Sequence, residues 1–157
     1  IKRKMSKKFI YKYLSEKELK SISAKISEIE KTTSGELVIT IKEKRGWLEK
    51  TKSVRMLAEK EFVSAKIGKT KGSTGILIFM LFNAKEFCIL ADKKINQLVE
   101  QSVWDEISNN MSLDFKQENF CKGILNSVEK AGKILSTHFP IQPGDVNELS
   151  NKVRILD

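Results

Sequence analysis

The sequence contains little of the chemistry that most hydrolases require. It has a single histidine, His138, so a two-histidine zinc site and a histidine-nucleophile phosphatase are excluded by count. The tyrosine-phosphatase loop Cys-x5-Arg is absent, because Lys94 and Ser127 stand where its arginine would follow Cys88 and Cys121. No Asp-x-Asp pair and no EF-hand loop is present either. The sequence therefore offers no ready-made catalytic motif.

Long apolar segments are missing as well. The longest apolar run is Ile76–Phe82, whereas roughly 20 apolar residues are needed to cross a bilayer. The N-terminus has no apolar core of the kind that signal peptides carry. We therefore expect a cytoplasmic protein, either free or resting peripherally on the inner membrane. The two cysteines are interpreted as small buried or half-buried residues, with a disulfide as the alternative.

Acidic residues are absent from positions 1–13, which carry six lysines and arginines. Residues 42–71 hold ten bases and four acids, whereas the rest of the chain holds 13 bases and 16 acids. The 157 residues fit one domain, which we divide into a basic arm (1–13), an α/β domain (14–140) and a tail (141–157). The arm would bind an anionic membrane or nucleic acid, or remain a solvated terminus.

Hydrophobic periodicity predicts the helices. Ser15 and Glu18 form a capping-box pattern, and apolar residues at helical spacing follow, with Gly35 suited to a left-handed cap after the helix. The same spacing predicts further helices over about residues 51–67, 95–107 and 117–138.

Two patterns predict strands that are covered on both faces: the alternation over Glu36–Lys42 and the unbroken apolar run Ile76–Phe82. The short segment Asn83–Lys85 predicts a hairpin turn into a third strand, Glu86–Ala91. The strand–helix–strand crossover requires a parallel pair, and the hairpin adds an antiparallel partner. The predicted fold class is α/β, with a small mixed sheet and helices on both faces as a three-layer α/β/α sandwich.

Three glycines between residues 68 and 75 resemble a phosphate-binding loop in composition only. In a Walker loop the glycines lead from a strand into a helix, whereas these lead from a helix into a strand. A plain connector is therefore favoured, although Lys69 and Lys71 with free backbone N–H groups would still suit an anion.

Asp92 is the first candidate site residue, because it follows a predicted strand just before a helix, where α/β sheets place ligands. Its carboxylate would suit a divalent cation such as calcium or magnesium, and a helix cap is the alternative. Glu36, which begins the first strand, is the second candidate. The alternative to a ligand role is a plain charged residue at the end of the sheet. Lys71 and Thr74 are candidates for an anion contact, and Trp104 for the cleft wall or the core. Strand order, which the sequence leaves open, decides whether these residues meet.

An ordered series of short motifs resembles the TPM domain family, and the resemblance covers about residues 14–152. The motifs are Leu14–Glu16, Glu28–Leu37, Ala58–Phe62, Gly75–Phe82, Ile89–Asn96, Trp104–Ile107, Phe115–Gly123, His138–Pro140 and Asp145–Leu149. The tail is similar to that of a short bacterial branch of the family that lacks a signal peptide. The family also includes thylakoid proteins associated with photosystem II repair.

The resemblance implies an α/β sandwich and two classes of function. Some thylakoid members are described as weak acid phosphatases that bind calcium, and others as accessory proteins near membranes. We therefore expect a non-enzymatic accessory or interaction domain near the cytoplasmic membrane face, whose partner is another protein or a membrane surface. A weak phosphatase that depends on a divalent metal is the alternative. A nucleic-acid partner ranks last, because no aromatic-interleaved basic patch accompanies the charge.

Overall fold

A computed structural model describes residues 8–70, 72–145 and 153–156 of the chain. The helices are α1 (Glu16–Glu30), α2 (Val54–Ser64), α3 (Lys93–Asn96), α4 (Gln101–Lys116) and α5 (Phe120–His138). The strands are β1 (Glu36–Lys42), β2 (Gly75–Leu81), β3 (Glu86–Ala91) and β4 (Val153–Leu156). Short 3₁₀ turns lie at Lys8–Lys12, Trp47–Glu49 and Ile67–Lys69.

The four strands form one mixed sheet in the order β3-β2-β1-β4. β1 pairs in parallel with both β2 and β4, and β2 pairs antiparallel with β3. The predicted α/β class with a mixed sheet is confirmed, and the bounds of β1 and β3 match the prediction. β4 is an addition that the sequence did not predict, because its four residues lie in the segment interpreted as a polar tail.

The sheet separates two apolar clusters, in keeping with the alternation of side chains along each strand. The larger cluster lies under α1, α4 and α5 and receives Leu37, Ile39 and Ile41 from β1. The smaller cluster lies under α2 and receives Val38 from β1. Helices thus cover both faces: α1, α4 and α5 lie on one side, where Ile95 of α3 also enters the core, and α2 lies on the other.

Helix α1 begins as predicted. The Ser15 hydroxyl accepts a hydrogen bond from the Glu18 backbone N–H (3.1 Å), and the Glu18 carboxylate accepts one from the Ser15 N–H (2.9 Å). The expected left-handed cap at Gly35 is wrong, because among the described glycines only Gly144 has a positive φ. Gly35 is instead a close-packing position: a Cβ there would lie 2.8 Å from a methyl of Leu135 and 3.1 Å from the Thr74 carbonyl oxygen.

The apolar stripe predicted as one helix over 95–107 belongs to two helices. Asp92 caps α3, which ends after one turn, and Glu100 adopts an extended conformation before α4 starts. Ile95 of α3 and Ile107 of α4 still enter the same core. The periodicity therefore reports a shared buried face across the break, which is why it did not reveal the interruption.

The N-terminal segment contributes to the core in its second half. Within the 3₁₀ turn Lys8–Lys12, Phe9 and Ile10 are buried. The ring of Tyr13 contacts those of Phe82 (centroids 4.9 Å apart) and Phe120 (5.1 Å), both edge-on. Residues 1–7 of the basic arm lie outside the described residues, as do 146–152 of the tail.

Candidate functional site

One end of the sheet brings two of the candidate acids into a single row. Glu36 pairs with Gly75 across β1 and β2, and the Asp92 N–H donates to the Gly75 carbonyl (2.9 Å) just beyond β3. Neighbouring strands lie about 4.8 Å apart, so the backbones of Glu36 and Asp92 are separated by two such spacings, or about 10 Å. Strand order, which the sequence did not fix, places both residues at the same edge.

Gly75 makes this row compact. A Cβ at this position would lie 2.5 Å from a methyl of Ile67 and 2.9 Å from the Ile67 carbonyl oxygen. The absence of a side chain therefore lets the turn Ile67–Lys69 pack directly on the start of β2.

Asp92 uses its two carboxylate oxygens differently. Oδ1 accepts a hydrogen bond from the Lys93 backbone N–H (2.8 Å) at the start of α3. Oδ2 is buried and has no hydrogen-bond partner in the described part of the chain. Buried carboxylate oxygens normally have partners, so Oδ2 is the most conspicuous unsatisfied acceptor at this end of the sheet. The helix-cap role is thus observed, and it leaves a second oxygen available.

Asp92 lines an open cleft of about 320 Å³ between α2 and the end of β3. We call it the Asp92 cleft. Two basic residues, Arg55 and Lys93, and two acidic residues, Glu59 and Asp92, line the cleft. The remaining wall is formed by Phe62, Val63, Leu90, Ala91, Asn96 and Gln101. The two wall amides are already engaged: the Asn96 amide donates to the Ala91 carbonyl (2.7 Å) and the Gln101 amide to the Ile89 carbonyl (3.2 Å).

The other predicted site residues do not share this cleft. Thr74 is buried and lines a separate hollow of about 390 Å³ with Lys94, and Glu36 lines a small one of about 50 Å³ with Glu30. Trp104 is fully buried in the larger core. Lys71 lies outside the described residues. The five candidates therefore do not form one cavity.

The donor set around Asp92 is small for a divalent metal. Calcium takes six to eight oxygen ligands in proteins, and the Asp92 cleft supplies two carboxylates, from Asp92 and Glu59. Within residues 8–70, 72–145 and 153–156, no three His, Cys, Asp or Glu side chains group as metal ligands would. These side chains alone do not fit a dedicated metal cage.

A second polar site lies on the same face of the sheet and was missed by sequence reasoning. The carboxylate of Glu61, a buried residue of α2, accepts hydrogen bonds at Oε2 from the Thr40 hydroxyl (2.5 Å) and from Arg154 Nε (2.8 Å). A cleft of about 250 Å³ adjoins them, which we call the Arg154 cleft. The spacing carried a signal: Glu61 follows the buried Leu57 by four residues, which places both side chains on one face of α2.

The third feature is a loop before α2 with an apolar tip, the Trp47 loop (residues 43–52). Trp47 is 80% exposed and Leu48 is 70% exposed. The base of the loop is tied down by Arg45, which donates to the Lys52 carbonyl (2.8 Å) and to the Glu86 carboxylate (2.7 Å).

Glu49 fixes the inner side of the same loop. Its carboxylate accepts a hydrogen bond from the Gly46 N–H (2.8 Å) and lies 3.5 Å from Lys42 Nζ. The Gly46 hydrogen bond, helped by the charge of Lys42, holds the pKa of Glu49 below its usual value. Arg45 and Glu49 thus hold the loop in place, and its two large apolar side chains are exposed.

The order of elements, the mixed four-stranded sheet and the covering helices agree with one known family. The model of the TPM domain matches residues 11–134, which is most of the chain. The chain belongs to the TPM domain family. None of the curated proteins matches this TPM domain.

Solved structures share the fold. The NMR structure of BA42 from the psychrophilic bacterium Bizionia argentinensis is similar over 91% of this chain and 95% of its own, with 34% sequence identity and a TM-score of 0.79. An N-terminal domain from P. gingivalis is 13% identical with a TM-score of 0.67, over 81% of this chain and 79% of that one. These likenesses support the fold of the TPM domain. In the described residues, no helix has the length and apolarity to cross a membrane.

Proposed function

We propose that this TPM domain is an accessory domain that docks peripherally on an anionic membrane surface, rather than an enzyme. The observation that carries the proposal is the Trp47 loop, whose tryptophan and leucine are largely exposed among the described residues. Tryptophan favours the boundary between water and lipid, because its large ring is apolar and its N–H is polar.

The apolar residues of this region are concentrated. Eight large hydrophobic side chains are strongly exposed among the described residues, and half of them lie between positions 47 and 63. These four are Trp47, Leu48, Met56 and Val63. Single exposed apolar residues are ordinary, whereas two adjacent ones at a loop tip, Trp47 and Leu48, favour a contact surface.

Basic residues flank the apolar tip along the chain. Lys44 and Lys50 flank it on the loop, and Arg55 and Lys60 follow on α2, all of them exposed. Each lysine or arginine close to an anionic bilayer contributes about 1 kcal/mol of attraction. Basic residues around an inserted apolar tip are the combination that peripheral membrane proteins use. The four bases among residues 1–7 would add to the same attraction.

The loop is also organised before it binds. Arg45 and Glu49 already make the hydrogen bonds that hold it, so docking would order few additional groups. The free energy from inserting Trp47 and Leu48 would then appear largely as affinity.

The experiment is sedimentation of the full chain with vesicles of phosphatidylcholine containing roughly 30% phosphatidylserine, an anionic lipid. We expect binding that weakens as salt screens the charges. The double variant Trp47→Ala, Leu48→Ala should lose about a hundredfold or more in affinity, since burying each side chain contributes about 1.5–3 kcal/mol.

Matched variants test whether position matters. Leu113→Ala removes an exposed leucine from α4 and should leave binding unchanged. Lys44→Glu with Lys50→Glu should weaken binding, whereas Lys116→Glu with Lys130→Glu, the same charge change on α4 and α5, should weaken it much less. If the wild-type chain does not sediment with anionic vesicles at low salt, the proposal is refuted.

The Asp92 cleft favours a second candidate, a weak phosphatase that depends on a divalent metal. The unsatisfied Oδ2 of Asp92 would supply one ligand to a magnesium or calcium ion, and Arg55 and Lys93 would attract a phosphate group. Its test is release of phosphate from a generic ester with calcium, magnesium or manganese.

Two substitutions separate the roles of Asp92. Asp92→Asn should keep the helix cap and lose the negatively charged ligand, whereas Asp92→Ala should lose both. If the candidate is right, both variants abolish the metal-dependent rate and Glu106→Ala does not. Hydrolysis that stays at the level of a blank in every metal would eliminate this candidate.

A further inference from the structure

The outermost strand β4 is a short cover on the edge of a buried strand. It pairs in parallel with Ile39–Lys42 of β1, and its four residues are all half-buried. β1 itself is buried along Glu36–Ile41. The family match ends at residue 134, so β4 lies outside the matched domain.

The contacts of β4 resemble those of a bound peptide. Val153 and Ile155 pack against the larger core, and Arg154 turns to the opposite face to reach Glu61. This alternation is how an extended segment is recognised when it adds a strand to a sheet edge: backbone hydrogen bonds hold the segment, and alternate side chains select it.

The two halves of the Arg154–Glu61 pair come from different parts of the chain. Glu61 and Thr40 lie within the matched domain, which therefore carries a buried carboxylate with one hydroxyl donor. The cation is supplied by Arg154 outside that domain. With β4 in place the Glu61 side chain is 5% exposed, and the charge of Arg154 offsets the cost of burying its carboxylate, so a covering strand with an arginine at this position is favoured.

The Arg154 cleft extends beyond the residues that β4 fills. About 250 Å³ of space remains beside Arg154 and Leu156, lined in part by Lys60, Ser64 and Phe79. A segment with a larger apolar residue at the position of Leu156, or with a following acidic residue facing Lys60, would use this space.

We propose that the outer edge of β1 is an acceptor site for an extended segment of a partner protein, and that β4 is its intramolecular occupant. The partner segment runs parallel to β1 and carries the pattern apolar–arginine–apolar–apolar. The arginine binds Glu61, and the two flanking apolar residues enter the larger core.

Occupancy by β4 makes the site self-inhibited. A tethered segment competes at an effective concentration of the order of millimolar, so a free peptide must exceed that concentration or β4 must be weakened. This proposal is independent of lipid binding, which uses the tip of the Trp47 loop.

The test uses a fluorescent peptide with the sequence of residues 151–157 and measures its anisotropy with the full chain. The wild-type chain should bind the peptide weakly, and Arg154→Glu, which places a negative charge beside Glu61, should bind it at least about tenfold more tightly. Adding Glu61→Gln to that variant should lower the affinity again by about tenfold, because the carboxylate charge is removed.

Controls separate an open edge from general destabilisation. Lys116→Glu makes the same charge change on α4 and should bind the peptide as weakly as wild type. A peptide in which glutamate replaces its arginine should not bind the Arg154→Glu chain. Amide NMR signals of Ile39–Lys42 should shift on binding, and those of the Asp92 cleft should not.

An Arg154→Glu chain that keeps its near-ultraviolet circular dichroism and binds the peptide no more tightly than wild type would overturn the proposal. If that variant does not fold, Ile155→Ala provides the milder weakening and must give the same order of affinities. If the wild-type chain is a dimer and Arg154→Glu makes it a monomer, the site binds a second copy of this chain. That result would overturn the proposal of a separate partner protein.

Discussion

The two faces of the sheet are covered very differently. The cluster under α1, α4 and α5 contains 25 buried residues, and the cluster under α2 contains 9. The Asp92 cleft, the Arg154 cleft and the Trp47 loop all adjoin α2. One face thus provides most of the apolar burial, and the other combines less burial with charged and exposed groups. The α2 face is therefore where binding should be sought.

The most severe test of this difference is a large core truncation on each face. Phe115 of α4 contacts the rings of Phe82, Phe87 and Phe120 with centroids 4.7 to 5.2 Å apart. Phe115→Ala should lower the free energy of unfolding by about 3–5 kcal/mol. Leu57→Ala in α2 should cost less, about 2–3 kcal/mol, because fewer buried groups surround it. Urea unfolding measures both, and an equal or larger loss for Leu57→Ala would remove the distinction.

Glu61 tests the polar part of the α2 face. Glu61→Ala leaves Arg154 and the Thr40 hydroxyl without their acceptor, and should lower the free energy of unfolding by about 2–3 kcal/mol. Thr40→Val keeps the Arg154 pair and should cost less, about 1 kcal/mol. Chemical denaturation of the two variants gives the ranking. A Glu61→Ala chain as stable as wild type would mean that the pair contributes nothing.

Cys88, in the smaller cluster under α2, should make the stability of the protein depend on pH. Burial raises the pKa of the Cys88 thiol from 9.0 to about 11, so the folded state favours the protonated form. The stability from this preference is complete below the unfolded pKa of 9.0 and is lost as pH rises through about 11. Unfolding between pH 8 and 11 should show a larger loss of stability in wild type than in Cys88→Ala, which keeps the raised thiol pKa of Cys121 but not that of Cys88. Equal pH profiles for the two chains would contradict this expectation.

The smallest change in stability is expected at the tip of the Trp47 loop. Trp47→Ala removes a side chain that is 80% exposed, so the free energy of unfolding should stay within about 0.5 kcal/mol of wild type. Thermal unfolding measures this, with Phe115→Ala as the destabilised reference. A loss of several kcal/mol would show that Trp47 supports the fold rather than a binding surface.

Local patterns in the sequence predicted most of the fold. The capping box at Ser15, the alternation of β1 and the hairpin into β3 each depend on neighbouring residues, and all three are observed. Gly35 misled the prediction because its role is a tertiary contact with Leu135 rather than a backbone conformation. Local pattern also could not separate α3 from α4, since both helices contribute to one core.

The candidate site was less predictable because it depends on strand order. Asp92 was identified from its position after a strand, and its approach to Glu36 required knowing that β2 lies between β1 and β3. The pair of Glu61 with Arg154 joins residues 93 positions apart, and no local pattern links them. Trp104, a candidate for the cleft wall or the core, lies in the core.

The placement of β4 beside β1 also has a consequence for synthesis on the ribosome. Ile39 meets Val153 across 114 intervening steps of the chain, the kind of distant pairing that is slow to form. The β1–β2–β3 portion can assemble before β4 has been translated, so one strand edge stays open until Val153–Leu156 emerge. During that interval the nascent protein presents an unpaired, apolar edge to its neighbours, a moment at which chaperones or early partners have their best access.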